Sequence, residues 1–135
     1  MDSTALPAAF IAERQRQIGA EGYDSRHDDE HVNGELLAVA RLYYQRAIGQ
    51  TLQMRNVRFD QGEVSLSDRV PVGFPWSPDN WKPKTPQRDL ERAGALCLAE
   101  VERRRRAGAV DGDRSITVVE EQLEAIVSAY KALPS

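Results

Sequence analysis

The sequence predicts a mainly α fold: a four-helix bundle interrupted by a short β-hairpin and a Pro/Trp-rich loop. Three observations carry this. Apolar residues recur at helical spacing in four stretches, and the period drops to two over residues 55–67. Five of the seven prolines and both tryptophans fall within residues 70–86. The 135 residues suit one domain around one core, and 41% hydrophobic with 29% charged residues is a globular composition.

The first helix spans about residues 6–19, with Pro7 in the first turn and Ser3 or Thr4 as its cap. Leu6, Phe10 and Ile18, with the stem of Arg14 or Gln17, form its inner face. "GAEGYDS" reads as a loop. A second helix spans 33–48, with Leu36, Val39, Ala40, Tyr43 and Ala47 inward and Gly49 as its stop; it could begin earlier, inside "DDEH", because acids favour a first turn. Over 55–67, Val57 and Phe59 alternate, then Val64 and Leu66, around "DQG", the pattern of a hairpin. Residues 70–86 hold too many prolines for a helix or interior strand and read as an ordered loop. Thr85 caps a third helix over 86–107, with Pro86 at its first position and Leu90, Ala93, Cys97 and Val101 on one stripe. "RRRR" at 103–106 suits that helix's negative end. The last helix spans about 116–132 and turns Val119, Leu123, Ile126 or Val127, and Tyr130 inward; "TVVE" at 117–120 has the form of a capping box, although the helix could start slightly earlier.

Charge and cysteine usage narrow the function classes. A net charge of −3 gives no basic face for duplex nucleic acid. The single cysteine, Cys97, excludes an internal disulfide and a cysteine-rich zinc motif, and its apolar setting reads as core. No stretch reads as a signal peptide or a bilayer span, so a cytoplasmic protein without a membrane partner is expected.

The chemistry concentrates in "HDDEH" at 27–31, which holds both histidines. His27, His31 and Glu35 fall four apart and would share a helix face, a credible set for a borderline divalent metal such as zinc. Asp28, Asp29, Glu30 and Glu35 offer oxygen ligands for Mg²⁺ or Mn²⁺ held together with substrate phosphates. A solvated, dipole-matched helix start accounts for the same acids. In "FPWSPDNWKPK", Trp76 and Trp81 could stack on a base while Lys82 and Lys84 meet phosphates; equally, the indoles could cover the core. Arg14, Gln17 and Arg92 are candidate neighbours of a phosphate or a metal cluster.

"ERQRQIGAEGYDSRHDDEHVNGELLAVARLYY" and "FPWSPDNWKPKTPQRDLERAGALCLAEVERR" together resemble a group of small proteins common in bacteriophage genomes and prophages. These in turn resemble MazG-like nucleotide pyrophosphohydrolases and the N-terminal module of phage dATP/dGTP diphosphohydrolases. The resemblance covers roughly residues 10–48 and 74–106. MazG-like enzymes hold Mg²⁺ and NTP phosphates with an EExxE motif and a later ExxD motif. "HVNGE" at 31–35 keeps the last acid as Glu35 but has His31 and Val32 in place of the first two. "DLER" keeps Asp89 but has Arg92 in place of the second acid, which opposes a cation and favours a phosphate. The resemblance implies a nucleotide-binding homo-oligomer that hydrolyses an NTP or dNTP to NMP and pyrophosphate. Asp28, Asp29, Glu35 and Asp89 would hold Mg²⁺, and His31 with Glu35 would activate water. Arg14, Gln17, His27, Lys82, Lys84 and Arg92 would face the ligand, with Trp76 or Trp81 on the base. The departures from the motifs equally suit a non-catalytic protein that sequesters a nucleotide signal of host defence. A protein-interaction module is the third expectation.

Overall fold

The computed structural model describes residues 6–31, 33–56 and 69–134. It is mainly helical, with one two-stranded antiparallel sheet, as expected. The elements are α1 (Ala8–Ala20), α2 (Ser25–Asp29), α3 (Glu35–Ala47), β1 (Met54–Asn56), β2 (Arg69–Pro71), a 3-10 turn (Pro78–Asn80), α4 (Pro86–Arg106) and α5 (Arg114–Lys131).

α4 is the central element. Thr85 caps it as expected, its hydroxyl accepting from the Arg88 N–H at 3.2 Å, with Pro86 at the first position. α1, α2, α3 and α5 all pack against α4, so it buries most of its circumference rather than one stripe. Cys97 lies in this core, fully buried, and burial pushes its thiol up to about 12. The arginine run forms the last turn of α4, where its charge complements the helix dipole.

Helix existence followed from periodicity, but several local expectations need correction. "DDEH" does not lengthen the second helix. Ser25–Asp29 forms its own short helix, capped by the Asp24 carboxylate accepting from the His27 N–H at 3.0 Å. Gly34, at φ +80°, sits in the left-handed region and separates it from α3. The inner face of α1 is Phe10, Glu13, Arg14 and Gln17, whereas Ile18 is exposed. That face meets polar atoms of α4: Glu13 pairs with Arg88 at 2.8 Å, and Gln17 Nε2 reaches the Arg92 carbonyl at 3.5 Å. Pro7 occupies the cap position of α1, and Ser3 and Thr4 lie outside the described residues.

Strand pairing also differs. Residues 69–71, the last two of them expected to be loop, pair with 54–56 in the register Met54↔Pro71, Arg55↔Val70, Asn56↔Arg69. Pro71 ends its strand, where a missing N–H costs no ladder bond. Val57, Phe59, Val64 and Leu66 lie outside the described residues. "TVVE" does not open α5. The helix starts at Arg114, and the Thr117 hydroxyl donates back to the Arg114 carbonyl at 3.5 Å.

Gly94 marks a close approach of α1 to α4. A Cβ there would lie 2.1 Å from the ring of fully buried Phe10, so α1 seats on α4 only because this position lacks one. The Phe10 ring is wedged further by an edge-on contact with Tyr130 at 5.0 Å. Gly94→Ala is therefore expected to destabilise by about 2 kcal/mol, within the usual range for overpacking. Phe10→Leu should recover part of that loss. Urea titration of the single and double variants measures both, and additive losses would show that the contact is not the cause.

Candidate functional site

The turn from α1 through α2 carries a cluster of aromatic rings. Tyr23 stacks on His27 (centroids 4.4 Å, 12° between planes), and His31 lies edge-on to His27 at 4.5 Å. Trp76, delivered by the proline loop, touches all three rings, at 5.6 Å from Tyr23, 6.1 Å from His27 and 5.2 Å from His31. All four residues are half-buried. Tyr23 was the residue missed from sequence. It precedes His27 by four positions, as His27 precedes His31, and that spacing was the available signal.

Beneath the rings lies a buried ion pair. Arg14 Nη2 meets Asp28 Oδ2 at 2.8 Å, with Asp28 fully buried. Arg14 also donates to the Tyr23 carbonyl at 2.6 Å and to Glu102 at 3.2 Å. The other oxygen of Asp28 lies 3.1 Å from His27 Nδ1, and His27 Nε2 lies 3.1 Å from His31 Nε2. A carboxylate paired with an arginine only accepts, so His27 carries a proton on Nδ1, and in the neutral ring the Nε2 lone pair turns toward His31. Burial, and then the His27 ring, hold the His31 pKa below its ordinary 6.5, against the opposing pull of Glu35, Asp28 and Glu30.

A second aromatic contact closes the core. Trp81 stacks on Tyr43 (4.5 Å, 28°) and lies edge-on to Phe74 at 5.6 Å. The Tyr43 hydroxyl accepts from the Lys82 N–H at 2.9 Å and from Arg92 at 3.1 Å, and donates to the Asn80 carbonyl at 3.3 Å. Trp81 thus covers the core, whereas Trp76 belongs to the ring cluster. Between them is a hollow of about 10 Å³ lined by Glu21, Tyr23, Tyr43, Trp76, Asn80 and Arg92, among others. Among the described residues, three buried side-chain polar atoms lack a hydrogen-bond partner: Arg14 Nε, Gln17 Oε1 and Trp76 Nε1. All three residues adjoin Tyr23, through its carbonyl, its N–H and its ring respectively.

The acids expected to hold a metal do not gather. Asp28 is committed to Arg14. Asp29 is exposed and pairs with Arg106 at 2.9 Å. Glu35 Oε2 accepts from the Asn33 N–H at 3.0 Å. Asp89 is buried and accepts from the Lys84 N–H and from Arg46, both at 2.8 Å. Arg46, which holds Asp89, is near the end of α3 and Glu35 begins it, so the two lie roughly 16 Å apart along the helix axis at 1.5 Å per residue. Among the described residues, no three of His, Cys, Asp and Glu are placed to hold a metal ion together. The acids that the resemblance would place on one Mg²⁺ are thus held by separate arginines, Asp28 by Arg14, Asp29 by Arg106 and Asp89 by Arg46.

The cations divide as well. Arg92 is buried, donates to the Lys82 carbonyl at 2.7 Å and sits over the Tyr43 ring at 5.2 Å. Gln17 is buried against α4. Lys82 is exposed, its amine 3.6 Å from Glu21 at the rim of the hollow. Lys84 has an exposed side chain and contributes its backbone to Asp89 and Arg46.

No family model, curated protein or solved structure matches the chain. Among the described residues, no helix is long and apolar enough to cross a membrane.

Two outcomes follow from this geometry. Asp28→Asn leaves the buried Arg14 guanidinium with only the half-exposed Glu102 as counter-charge and should cost about 3 kcal/mol in urea unfolding; a loss below 1 kcal/mol would show that the pair is dispensable. The lowered His31 pKa means that the unfolded chain binds the proton more tightly. This contribution to stability is complete above the ordinary imidazole pKa of 6.5, and declines as pH falls through 6.5 toward the lowered native value. His31→Asn should flatten that part of the stability–pH curve, and an unchanged slope would remove His31 as its source.

Proposed function

We propose that the protein binds a nucleotide-type ligand without hydrolysing it. The observation carrying this is the half-exposed ring cluster of Tyr23, His27, His31 and Trp76. Aromatic and imidazole faces of this kind stack on a base, for about 1–3 kcal/mol per base. Lys82, at the rim of the adjoining hollow, is the cation for the phosphates, and Lys84 follows it on the same loop. The unpartnered Trp76 N–H is a donor for a polar edge of the ligand. Sequestration suits this chemistry better than turnover, because Asp28, Asp29 and Asp89 are each neutralised by an arginine of the same chain. The resemblance to phage proteins supports the same reading, with a host-defence nucleotide as the ligand class and a homo-oligomer as the assembled form.

One observation favours a hydrolytic second reading. A His31 held neutral near pH 7 is in the correct state to accept a proton from water.

Incubation with a panel of NTPs, dNTPs and cyclic nucleotides, with and without Mg²⁺, followed by denaturation and chromatography, tests both. Sequestration predicts a ligand recovered intact, with affinity reduced about tenfold or more in Trp76→Leu and His31→Ala. Release of pyrophosphate would replace this reading with the hydrolytic one. Absence of binding to every member of the panel would overturn both and leave a protein-interaction role.

A further inference from the structure

We propose that His27 and His31 form a two-imidazole chelate for a borderline divalent cation of the zinc, copper or nickel class. This site differs from the carboxylate cluster implied by the resemblance in binding through nitrogen, and it does not rest on nucleotide binding.

The geometry supports it in three ways. The two Nε2 atoms are 3.1 Å apart. An ion held 2.0–2.1 Å from each nitrogen would subtend an angle of about 100° between them, between octahedral and tetrahedral values. The separation of the two nitrogens therefore suits a shared ion. Second, the Asp28 carboxylate, itself anchored by Arg14, fixes the proton of His27 on Nδ1 and directs the Nε2 lone pair outward. A carboxylate behind a histidine is the usual outer support of a metal-bound imidazole: it sets the tautomer and raises the basicity of the ligating nitrogen. Third, the site is electronegative. The carboxylates of Glu35, Asp28 and Glu30 act on His31, against the opposing charge of the His27 ring.

In the metal-free state the two rings share one N–H···N hydrogen bond. Coordination replaces it. His31 moves its proton from Nε2 to Nδ1, so both rings stay neutral and no proton balance is disturbed. With two protein ligands the remaining positions belong to water or to an oxygen of an anionic ligand. Imidazole ligands favour zinc, copper and nickel over magnesium.

His27 and His31 are the chain's only histidines, which makes the test unambiguous on untagged protein. Zinc chloride alone is titrated into ¹⁵N-labelled protein while the imidazole nitrogens are followed by NMR. The expected result is a 1:1 change in which both Nε2 resonances shift and both Nδ1 atoms become protonated. His31→Ala and His27→Ala should each raise the zinc Kd at least tenfold by calorimetry. Imidazole resonances unmoved by excess zinc would overturn the proposal. So would a shift of one ring alone, or unchanged affinity in a folded variant. Where a variant fails to fold, the two-ring shift in the unmutated protein decides the matter by itself.

Discussion

A helix buried on most of its circumference cannot carry a lone charge. α4 carries five buried ionisable residues, Asp89, Glu91, Arg92, Glu100 and Arg103, and each requires a partner. An unpaired buried charge costs several kcal/mol, comparable to a large part of a small domain's total stability. The surrounding elements supply the partners. α3 offers Arg46 to Asp89 and Tyr43 to Arg92. α5 offers the Tyr130 hydroxyl to Glu91 at 2.7 Å. α1 brings Glu13 to Arg88, which also holds Glu91. Glu100 is paired within α4 by Arg103 and Arg104. The hydrophobic effect drives the helices together, but this pairing restricts which faces meet.

Glu13 illustrates the balance. Burial alone would raise the pKa of its carboxyl, yet hydrogen bonds and charge from Arg16 and Arg88 outweigh it, and the pKa falls below its ordinary value. The group stays ionised because its partners arrive with the fold. The same constraint shapes the candidate site. Most acids and arginines that could serve a metal or a phosphate are spent on architecture. The less committed groups are imidazoles, an indole and a phenol, whose faces can take a ligand without leaving a buried charge unpaired.

The position of those rings depends on the same network. α2 has five residues, too few to be stable alone. It is held by the Asp24 cap, by Arg14 on Asp28 and by Arg106 on Asp29, so side chains from α1 and α4 determine where His27 stands. Trp76 comes from a loop whose backbone is tied to the Tyr43 hydroxyl and to Asp89. The ring cluster is therefore a product of long-range contacts, although three of its members lie within nine residues of sequence.

The sequence by itself determined the four longer helices, because helical periodicity, Thr85–Pro86 and Gly49 act over a few residues. It also determined the core stripe of α4 and the burial of Cys97, which follow from apolar side chains on one face. It marked the 23–31 region as chemically dense without separating ligand from scaffold. Only the tertiary structure decided that Asp28 and Asp89 are counter-ions to Arg14 and Arg46, that Ile18 faces solvent, and that Trp81 closes the core while Trp76 joins the histidines. The physical reason is range. Local geometry follows from neighbours a turn away, whereas the role of a charge or a ring depends on which distant group meets it, and the spacing of residues along one chain carries no record of that meeting.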